Sequence, residues 1–126
     1  MKIYIGHLRD ADFKKELYEP IQNSSLHKEH EFILPHENSN DSFDSRDFLK
    51  NECDLMVAEV SHPSTGLGIE LGWAHSHNIP IVCIYRKGSK PANSLKRLTD
   101  NFIEYSDSEE MVQKLKKAIE EMQIIK

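Results

Sequence analysis

Apolar residues along the chain form short runs that are separated by polar segments. Five of these runs have the length and composition of β-strands: Lys2–Gly6, Glu31–Leu34, Leu55–Val60, Ile79–Tyr85 and Asn101–Tyr105. The third run is apolar apart from Glu59, which predicts a central strand covered on both faces. The pattern therefore predicts a sheet whose middle is fully buried.

Between the strands, apolar residues recur at helical spacing. The first predicted helix contains Leu17, and Pro20 breaks or restarts it. A second helix is predicted from about 44 to 52, and a third begins near Ile69. Strands that alternate with helices predict an α/β fold, with the whole chain 1–126 as one domain. Right-handed crossovers then give three layers, α/β/α, around a five-stranded parallel sheet.

Two of the helices carry apolar residues that are predicted to pack on the core. In the second helix these are Phe48 and Leu49. The last helix begins near Asp107, where Ser106 and Glu109 are spaced as a capping box. Its apolar stripe consists of Met111, Leu115, Ala118, Ile119 and Met122. We interpret this stripe as core packing and not as a cofactor site.

Composition and charge narrow the class of protein. The 126 residues are 29% charged and 38% hydrophobic, as in soluble globular proteins, and the longest apolar run, Ile79–Tyr85, is too short to cross a membrane. The net charge of −5 argues against a broad nucleic-acid surface. A strand almost directly after Met1 leaves no targeting segment, so we expect a cytoplasmic protein. A small phosphorylated ligand remains compatible with this charge.

Cysteine and histidine spacing gives no indication of a metal site. Cys53 and Cys83 lie beside or within predicted strands and are interpreted as reduced core thiols. His75 and His77 do not have the i, i+4 spacing of a helical metal-binding pair. We therefore expect no metal.

The turn after the third strand carries the strongest chemical signal. Pro63 and two nearby glycines end the strand, and in an open α/β sheet this loop lies in the crevice where ligands bind. Ser64, Thr65 and the backbone amides of Gly66 and Gly68 could hold a phosphate, while Glu70 points into the same space. Alternatively, the glycines serve only close packing and Glu70 is a first-turn residue favoured by the helix dipole.

Two common phosphate-binding motifs are excluded at this turn. A dinucleotide fingerprint requires glycine at position 71, which is Leu71. No Gly-Lys-Ser/Thr follows, so the turn is not a nucleoside-triphosphate loop.

The same residues resemble the core motif of the nucleoside 2-deoxyribosyltransferase superfamily. The matching segments are Val57-Ala58-Glu59-Val60, Pro63-Ser64, Gly66-Leu67-Gly68 and Glu70-Leu71-Gly72. The nearest branch is similar to the 2′-deoxynucleoside 5′-phosphate N-hydrolases. The resemblance implies a flavodoxin-like, Rossmann-type strand order and no metal or organic cofactor. It also implies that Glu70 is the nucleophile that attacks the sugar C1′ and that Ser64 contacts the 5′-phosphate.

The resemblance extends to three positions before the third strand. Gly6-His7-Leu8-Arg9 is similar to a Gly-Ser-Ile-Arg segment of the family, with His7 where a phosphate-binding serine is expected. It implies that Arg9 approaches the phosphate, that Tyr4 helps to position the substrate, and that His36 lines the pocket. Taken without the resemblance, Arg9 could pair with a surface carboxylate and His36 could be simply solvated.

Two further positions follow from the resemblance less directly. The family's assisting aspartate falls on Arg46, so we assign that role to the adjacent Asp47, which could otherwise be a surface carboxylate. Ser94 stands twenty-four residues after Glu70, where the N-hydrolases carry a phosphate-binding serine of the neighbouring subunit. This spacing implies a homodimer with shared sites, whereas on local grounds Ser94 could equally be a helix cap.

The implied function is hydrolysis of the N-glycosidic bond of nucleoside 5′-monophosphates through a covalent glycosyl-enzyme. One alternative is a deoxyribosyltransferase, in which a second base replaces water; Ser64 in place of an acidic residue disfavours it. The other is a nucleotide-sensing module without turnover, suggested by Arg46 and His7 at positions where the family has other residues.

Overall fold

The computed structural model describes residues 1–8, 14–35 and 45–125. Two residues of the predicted site, Arg9 and His36, lie outside these ranges. The strands are β1 (Lys2–Gly6), β2 (Glu31–Ile33), β3 (Leu55–Glu59), β4 (Ile81–Arg86) and β5 (Phe102–Tyr105). The helices are α1 (Glu19–Gln22), α2 (Leu26–Glu29), α3 (Ser45–Asn51), α4 (Thr65–Ser76) and α5 (Ser108–Ile125), with a π-helix at Lys14–Tyr18 and a 3₁₀ helix at Asn93–Arg97.

All five strands are parallel and lie in the order β2-β1-β3-β4-β5. This confirms the predicted parallel sheet and its flavodoxin-like order. The order reverses at β1, so the crevice between the carboxyl ends of β1 and β3 is the topological switch point at which such sheets bind ligands. Gly6 pairs with Ala58 at this end of the sheet.

Helices cover both faces of the sheet, as the sequence predicts. On one face, side chains of alternate strand positions such as Ile3, Val57 and Ile84 pack with α1, α2 and α5. On the other face, Tyr4, Met56 and other strand residues pack with α3 and α4. Burying an aliphatic side chain of this size stabilises a fold by about 1.5–3 kcal/mol, so these two clusters hold the three layers together.

The predicted central strand is confirmed, because Leu55, Met56, Val57 and Ala58 are fully buried. Phe48 and Leu49 also face inward, as predicted. Pro20 lies in the first turn of α1, directly after the π-helix, so it restarts a helix as expected.

The start of α4 differs from the prediction. The helix begins at Thr65 and not near Ile69, because Ser64 caps it: Leu67 N–H donates to Ser64 Oγ (3.3 Å) and Gly68 N–H to Ser64 O (3.0 Å). Both glycines of the predicted turn are therefore helical. Glu70 lies in the second turn, and the prediction that it is a first-turn residue is wrong.

The cap of α5 is shifted by one residue from the predicted capping box. Asp107 Oδ1 accepts the Glu110 N–H (2.8 Å), and Glu110 Oε1 accepts the Ser106 N–H (3.0 Å). The pairing of Ser106 with Glu109 is therefore wrong, because Glu110 is the carboxylate that reaches back. The stripe residues Met111, Leu115 and Ile119 are fully buried, which confirms their core role.

The two cysteines are free and buried. Burial raises the pKa of the Cys53 and Cys83 thiols to about 11, so both remain neutral at ordinary pH. No helix in the described part of the chain has the length and apolar character needed to cross a membrane. Within the described ranges, no three His, Cys, Asp or Glu side chains group closely enough to hold a metal ion.

Candidate active site

A tyrosine and a glutamate meet at the switch point of the sheet. Tyr4 extends from β1 and Glu70 from α4, and the Tyr4 hydroxyl donates a hydrogen bond to Glu70 Oε2. Tyr4 is 1% exposed, while Glu70 is half-buried. A carboxylate is thus oriented at the crevice by a donor that is anchored in the core.

Several contacts hold the Tyr4 ring and keep its hydroxyl protonated. Burial, and then the neighbouring Glu70 carboxylate, raise the pKa of Tyr4 well above its ordinary value. Ser45, at the start of α3, lies near the Tyr4 hydroxyl and acts on this pKa in the opposite direction, and the Phe48 ring lies 6.0 Å from the Tyr4 ring. Tyr4 therefore acts as a fixed hydrogen-bond donor toward Glu70.

The second oxygen of Glu70 is available. Among the residues that the structure describes, no hydrogen bond engages Glu70 Oε1. A carboxylate that is oriented through one oxygen and has the other unbonded is suited to act as a nucleophile or as a general base.

Helix α3 lies against α4 on this side of the sheet. The Arg46 guanidinium is 5.9 Å from the centre of the Trp73 ring, one turn along α4 from Glu70. Asp47 lies on the exposed side of α3, where its Oδ1 accepts a hydrogen bond from Asn51 Nδ2 (3.0 Å). The α3 residue that contacts the Tyr4 hydroxyl is Ser45, which the sequence analysis did not identify.

The N-terminus of α4 presents a small set of polar groups. Thr65 and Gly66 occupy the first two helical positions, whose amides have no acceptor within a helix. The amide of Gly68 is already hydrogen-bonded to Ser64 O, so it is not free to bind an anion. The predicted phosphate cradle is therefore smaller than expected and centres on Ser64, Thr65 and Gly66.

A cavity of about 200 Å³ lies beside this helix end. Its walls come from the loop after β3, from α4 and from the 3₁₀ helix, and Ser64 and Ser94 of the same chain both line it. Glu70 is not among the lining residues. The structure thus brings Ser64 and Ser94 together at one cavity, which Glu70 does not line.

Gly6 and His7 serve packing at the end of β1. A Cβ on Gly6 would lie 2.7 Å from Met56 Cε and 2.8 Å from Leu67 Cδ1, so only glycine fits without a shift in the core. His7 is buried, with Nδ1 2.9 Å from Leu8 O and Nε2 2.7 Å from the Tyr18 hydroxyl. Because a carbonyl only accepts, Nδ1 carries a proton and donates it to Leu8 O.

A second tyrosine–glutamate contact was also missed by the sequence analysis. The Tyr105 hydroxyl donates to Glu59 Oε2 on the other face of the sheet. The one sequence signal was Glu59 itself, a charged residue in an otherwise apolar strand.

Comparisons with known proteins agree with this fold and motif. No protein-family model matches the chain. Over 39 residues, 31% of this chain, it is 51% identical to a Syntrophotalea carbinolica protein that bears the provisional name 2′-deoxynucleoside 5′-phosphate N-hydrolase 1. The matched segment spans only 28% of that relative's length.

Two solved structures share the fold over most of the chain. A CMP N-glycosidase from Clostridium botulinum is 26% identical, with a TM-score of 0.68 over 92% of this chain and 99% of that one. A 2-deoxyribosyltransferase from Leishmania mexicana is 19% identical, with a TM-score of 0.54 over 75% of each chain, and bears on the fold alone. The predicted resemblance is thereby confirmed: the chain is similar over a short segment to a protein named as a 2′-deoxynucleoside 5′-phosphate N-hydrolase, and over most of its length to a CMP N-glycosidase.

Proposed function

We propose that this protein hydrolyses the N-glycosidic bond of (deoxy)nucleoside 5′-monophosphates and releases the free base and a sugar 5-phosphate. The Tyr4–Glu70 pair at the switch point carries the proposal, because it orients a carboxylate toward the ligand crevice. The names of the relatives support the same chemistry, since one is a CMP N-glycosidase and another a 2′-deoxynucleoside 5′-phosphate N-hydrolase.

In the proposed mechanism, Glu70 Oε1 attacks C1′ while the bond from C1′ to the base nitrogen breaks. The leaving base takes up a proton, for which we assign Asp47 as donor. Water then attacks C1′ of the glycosyl-enzyme, gives a proton to the Asp47 carboxylate and frees the Glu70 carboxylate, so Asp47 is protonated again and the configuration at C1′ is retained. Tyr4 keeps Glu70 Oε2 engaged throughout and so orients the other oxygen toward the sugar.

The 5′-phosphate is proposed to bind at the N-terminus of α4. Ser64 Oγ, the Thr65 and Gly66 amides and the Arg9 guanidinium are suited to a dianion, and a helix N-terminus favours negative charge. Gly68 contributes by leaving this helix face open, because nothing lies within 4 Å of a Cβ built there. His36 is retained as a proposed pocket residue, and Gly6 as the residue that lets α4 approach β1.

Chromatography of the products tests the proposal directly. The protein is incubated with a panel of nucleoside 5′-monophosphates and the matching nucleosides, and free base is quantified. We expect base release from 5′-monophosphates in strong preference to nucleosides. The reason is that binding of the phosphate contributes energy that stabilises the transition state at C1′. Equal kcat/KM values for a nucleotide and its nucleoside would contradict the proposed phosphate site.

A slow 2′-fluoro nucleotide analogue tests the covalent step. The expected result is one added sugar-phosphate mass on the peptide that contains Glu70. A label on Glu59 would show that the nucleophile is assigned to the wrong carboxylate. Transfer of the sugar to an added free base, in preference to water, would favour a deoxyribosyltransferase, and binding without base release would favour the sensing module.

Ser64→Asp tests the contact with the phosphate. The added carboxylate repels a dianion, so the preference for nucleotides over nucleosides should narrow or reverse. Ser64→Asn is the matched control, because asparagine can also cap a helix but carries no charge. If Ser64→Asp keeps the full preference, Ser64 does not contact the phosphate.

We also propose a homodimer in which Ser94 completes the partner's site. On the exposed side of α4, Ile69 is 50% exposed and Gly68 and Gly72 leave the helix surface open, so a second copy has room to pack there. Within one chain, however, Ser94 already lies beside Ser64, which offers a site completed without a partner.

Sedimentation and subunit mixing separate these arrangements. If sites are shared, a mixture of Glu70→Gln and Ser94→Ala proteins forms heterodimers in which one site regains both wild-type residues. Activity should then exceed the sum of the two variants. No gain after subunit exchange, or an active monomer at assay concentration, would contradict the shared site.

A further inference from the structure

The second tyrosine–glutamate pair lies at the carboxyl ends of the strands, on the face of the sheet opposite Tyr4. Glu59 ends β3 and Tyr105 ends β5, and the Tyr105 hydroxyl reaches past β4 to donate to Glu59 Oε2. Tyr105 is 3% exposed, and burial together with the Glu59 carboxylate raises its pKa, so it stays a donor. The contact therefore ties together two strands that are not neighbours in the sheet.

The other oxygen of Glu59 holds the loop that leads to α4. Glu59 Oε1 accepts the Ser61 N–H at 2.6 Å. Ser61 Oγ in turn accepts the backbone N–H of Arg86 at 2.8 Å, and Ser61 is only 7% exposed. Ser61 is thus held from two sides, by the end of β3 and by the end of β4.

Ser61 stands three residues before Ser64, the cap of α4. Pro63 fixes one backbone dihedral of the short connection between them. A displacement of Ser61 would therefore be passed to Ser64 and to the two amides that follow it.

We propose that Glu59, Tyr105 and Ser61 form a positioning unit that fixes the N-terminus of α4 where it receives the substrate's 5′-phosphate. The proposal rests on the function proposed above. None of the three residues touches the substrate. They act through Ser64. Their removal should therefore weaken the binding of the 5′-phosphate and leave the nucleophile Glu70 in place.

A control lies in the same cluster. The Arg86 guanidinium lies 5.6 Å from the centre of the Tyr105 ring and forms an ion pair with Glu16 at 2.9 Å, with side-chain exposures of 40% and 49%. Its bond to Ser61 comes from the backbone, so Arg86→Gln leaves the Glu59–Ser61 and Arg86–Ser61 contacts in place. Arg86→Gln therefore shows how much the kinetics change when a side chain of this cluster is altered but the hydrogen bonds to Ser61 are kept.

The test compares Tyr105→Phe, Ser61→Ala, Glu59→Ala, Glu59→Gln and Arg86→Gln. For each, KM and kcat are measured on one nucleoside 5′-monophosphate and on its nucleoside. The Kd for the nucleotide is measured by calorimetry in a Glu70→Gln background. Tyr105→Phe, Ser61→Ala and Glu59→Ala should each raise KM and Kd for the nucleotide about tenfold, which is the effect of losing one hydrogen bond. The values for the nucleoside should change little. Glu59→Gln should largely restore wild-type values, because its amide oxygen still accepts from Ser61 and its amide nitrogen can donate to the Tyr105 hydroxyl oxygen.

Two results would overturn the inference. If the nucleotide preference of Tyr105→Phe, Ser61→Ala and Glu59→Ala equals that of wild type and of Arg86→Gln, while only their thermal stability falls, the cluster is structural. That outcome leaves the proposed function intact. If wild type neither cleaves nor binds nucleotides, the proposed function fails, and this inference fails with it.

Discussion

The two faces of the sheet carry the same pair of side chains in two different settings. On the face of α3 and α4, Tyr4 donates to Glu70; on the face of α1 and α5, Tyr105 donates to Glu59. Both tyrosines are buried, and each carboxylate receives a phenolic hydrogen bond on Oε2. An arginine lies over an aromatic ring near each pair, Arg46 over Trp73 and Arg86 over Tyr105.

The difference lies in the second oxygen of each carboxylate. Glu59 Oε1 is bonded to a backbone amide, whereas within the described residues Glu70 Oε1 has no hydrogen bond. A carboxylate with both oxygens engaged holds backbone in place, and one with a spare oxygen can react. Residue type alone does not distinguish the two roles. The distinction depends on where the neighbouring backbone donors point.

Replacing each glutamate by glutamine should give the largest contrast. Glu70→Gln removes the attacking charge and should lower kcat by about 10²-fold or more, while nucleotide binding survives. Glu59→Gln keeps an acceptor for Ser61 and should leave kcat within about threefold of wild type. Base release and calorimetric Kd provide the measurements. Near-normal turnover by Glu70→Gln would show that Glu70 is not the reacting carboxylate and would contradict the distinction from Glu59.

Removal of the hydroxyl from each tyrosine should change a different kinetic parameter. Tyr4→Phe leaves Glu70 without its orienting donor and should lower kcat about tenfold, with a small change in KM. Tyr105→Phe should instead raise KM for nucleotides. Initial rates over a range of substrate concentrations separate the two parameters. If both variants alter the same parameter, the two pairs do not have separate roles.

Alkaline pH should weaken the fold through both tyrosines. Because the folded pKa of each is raised, their stabilisation is fully present below the unfolded pKa of about 10 and is lost as pH rises toward the folded pKa. The thiols of Cys53 and Cys83 add a further loss of folding stability between about pH 9 and their folded pKa of about 11.

Melting temperatures measured from pH 8 to 11 check this expectation. Tyr4→Phe and Tyr105→Phe should each be less stable than wild type near pH 8 and should lose less stability above pH 10. A wild-type curve as flat as those of the variants would contradict the assignment of the alkaline loss to these hydroxyls.

The two arginines should have the smallest effects. Each cation–π contact lies at or near the surface and contributes about 0.5–1 kcal/mol. Arg46→Gln and Arg86→Gln should therefore lower the free energy of unfolding in urea by no more than about this amount, since the exposed Arg86–Glu16 ion pair adds little. A larger loss at Arg46 would indicate that it has a further role beside the crevice.

The architecture could be predicted because it depends on local patterns. Apolar runs and helical spacing are properties of consecutive residues, and parallel strands joined by helices follow from their alternation. The start of α4 was misplaced because Gly66 and Gly68 are typical of turns. In the structure, the Ser64 cap and the burial of Leu67 and Leu71 together offset a helix cost of about 1 kcal/mol for each glycine.

The tyrosine–glutamate pairs could not be predicted in the same way. Tyr4 and Glu70 are 66 residues apart, and Tyr105 and Glu59 are 46 apart. Which side chains meet depends on strand register and on the rotation of α4, and neither is encoded in any short segment. The resemblance identified Glu70 as a candidate, but the contact between Tyr4 and Glu70 becomes visible only in three dimensions.

Gly6 limits the space between the end of β1 and α4. A Cβ at residue 6 would lie 2.7 Å from Met56 Cε and 2.8 Å from Leu67 Cδ1, and Leu67 lies one turn before Glu70 on α4. A methyl group at this position therefore requires both side-chain tips to shift. The hydrogen atom of glycine is thus what lets Met56 and Leu67 keep their present packing at the end of the strand that carries Tyr4.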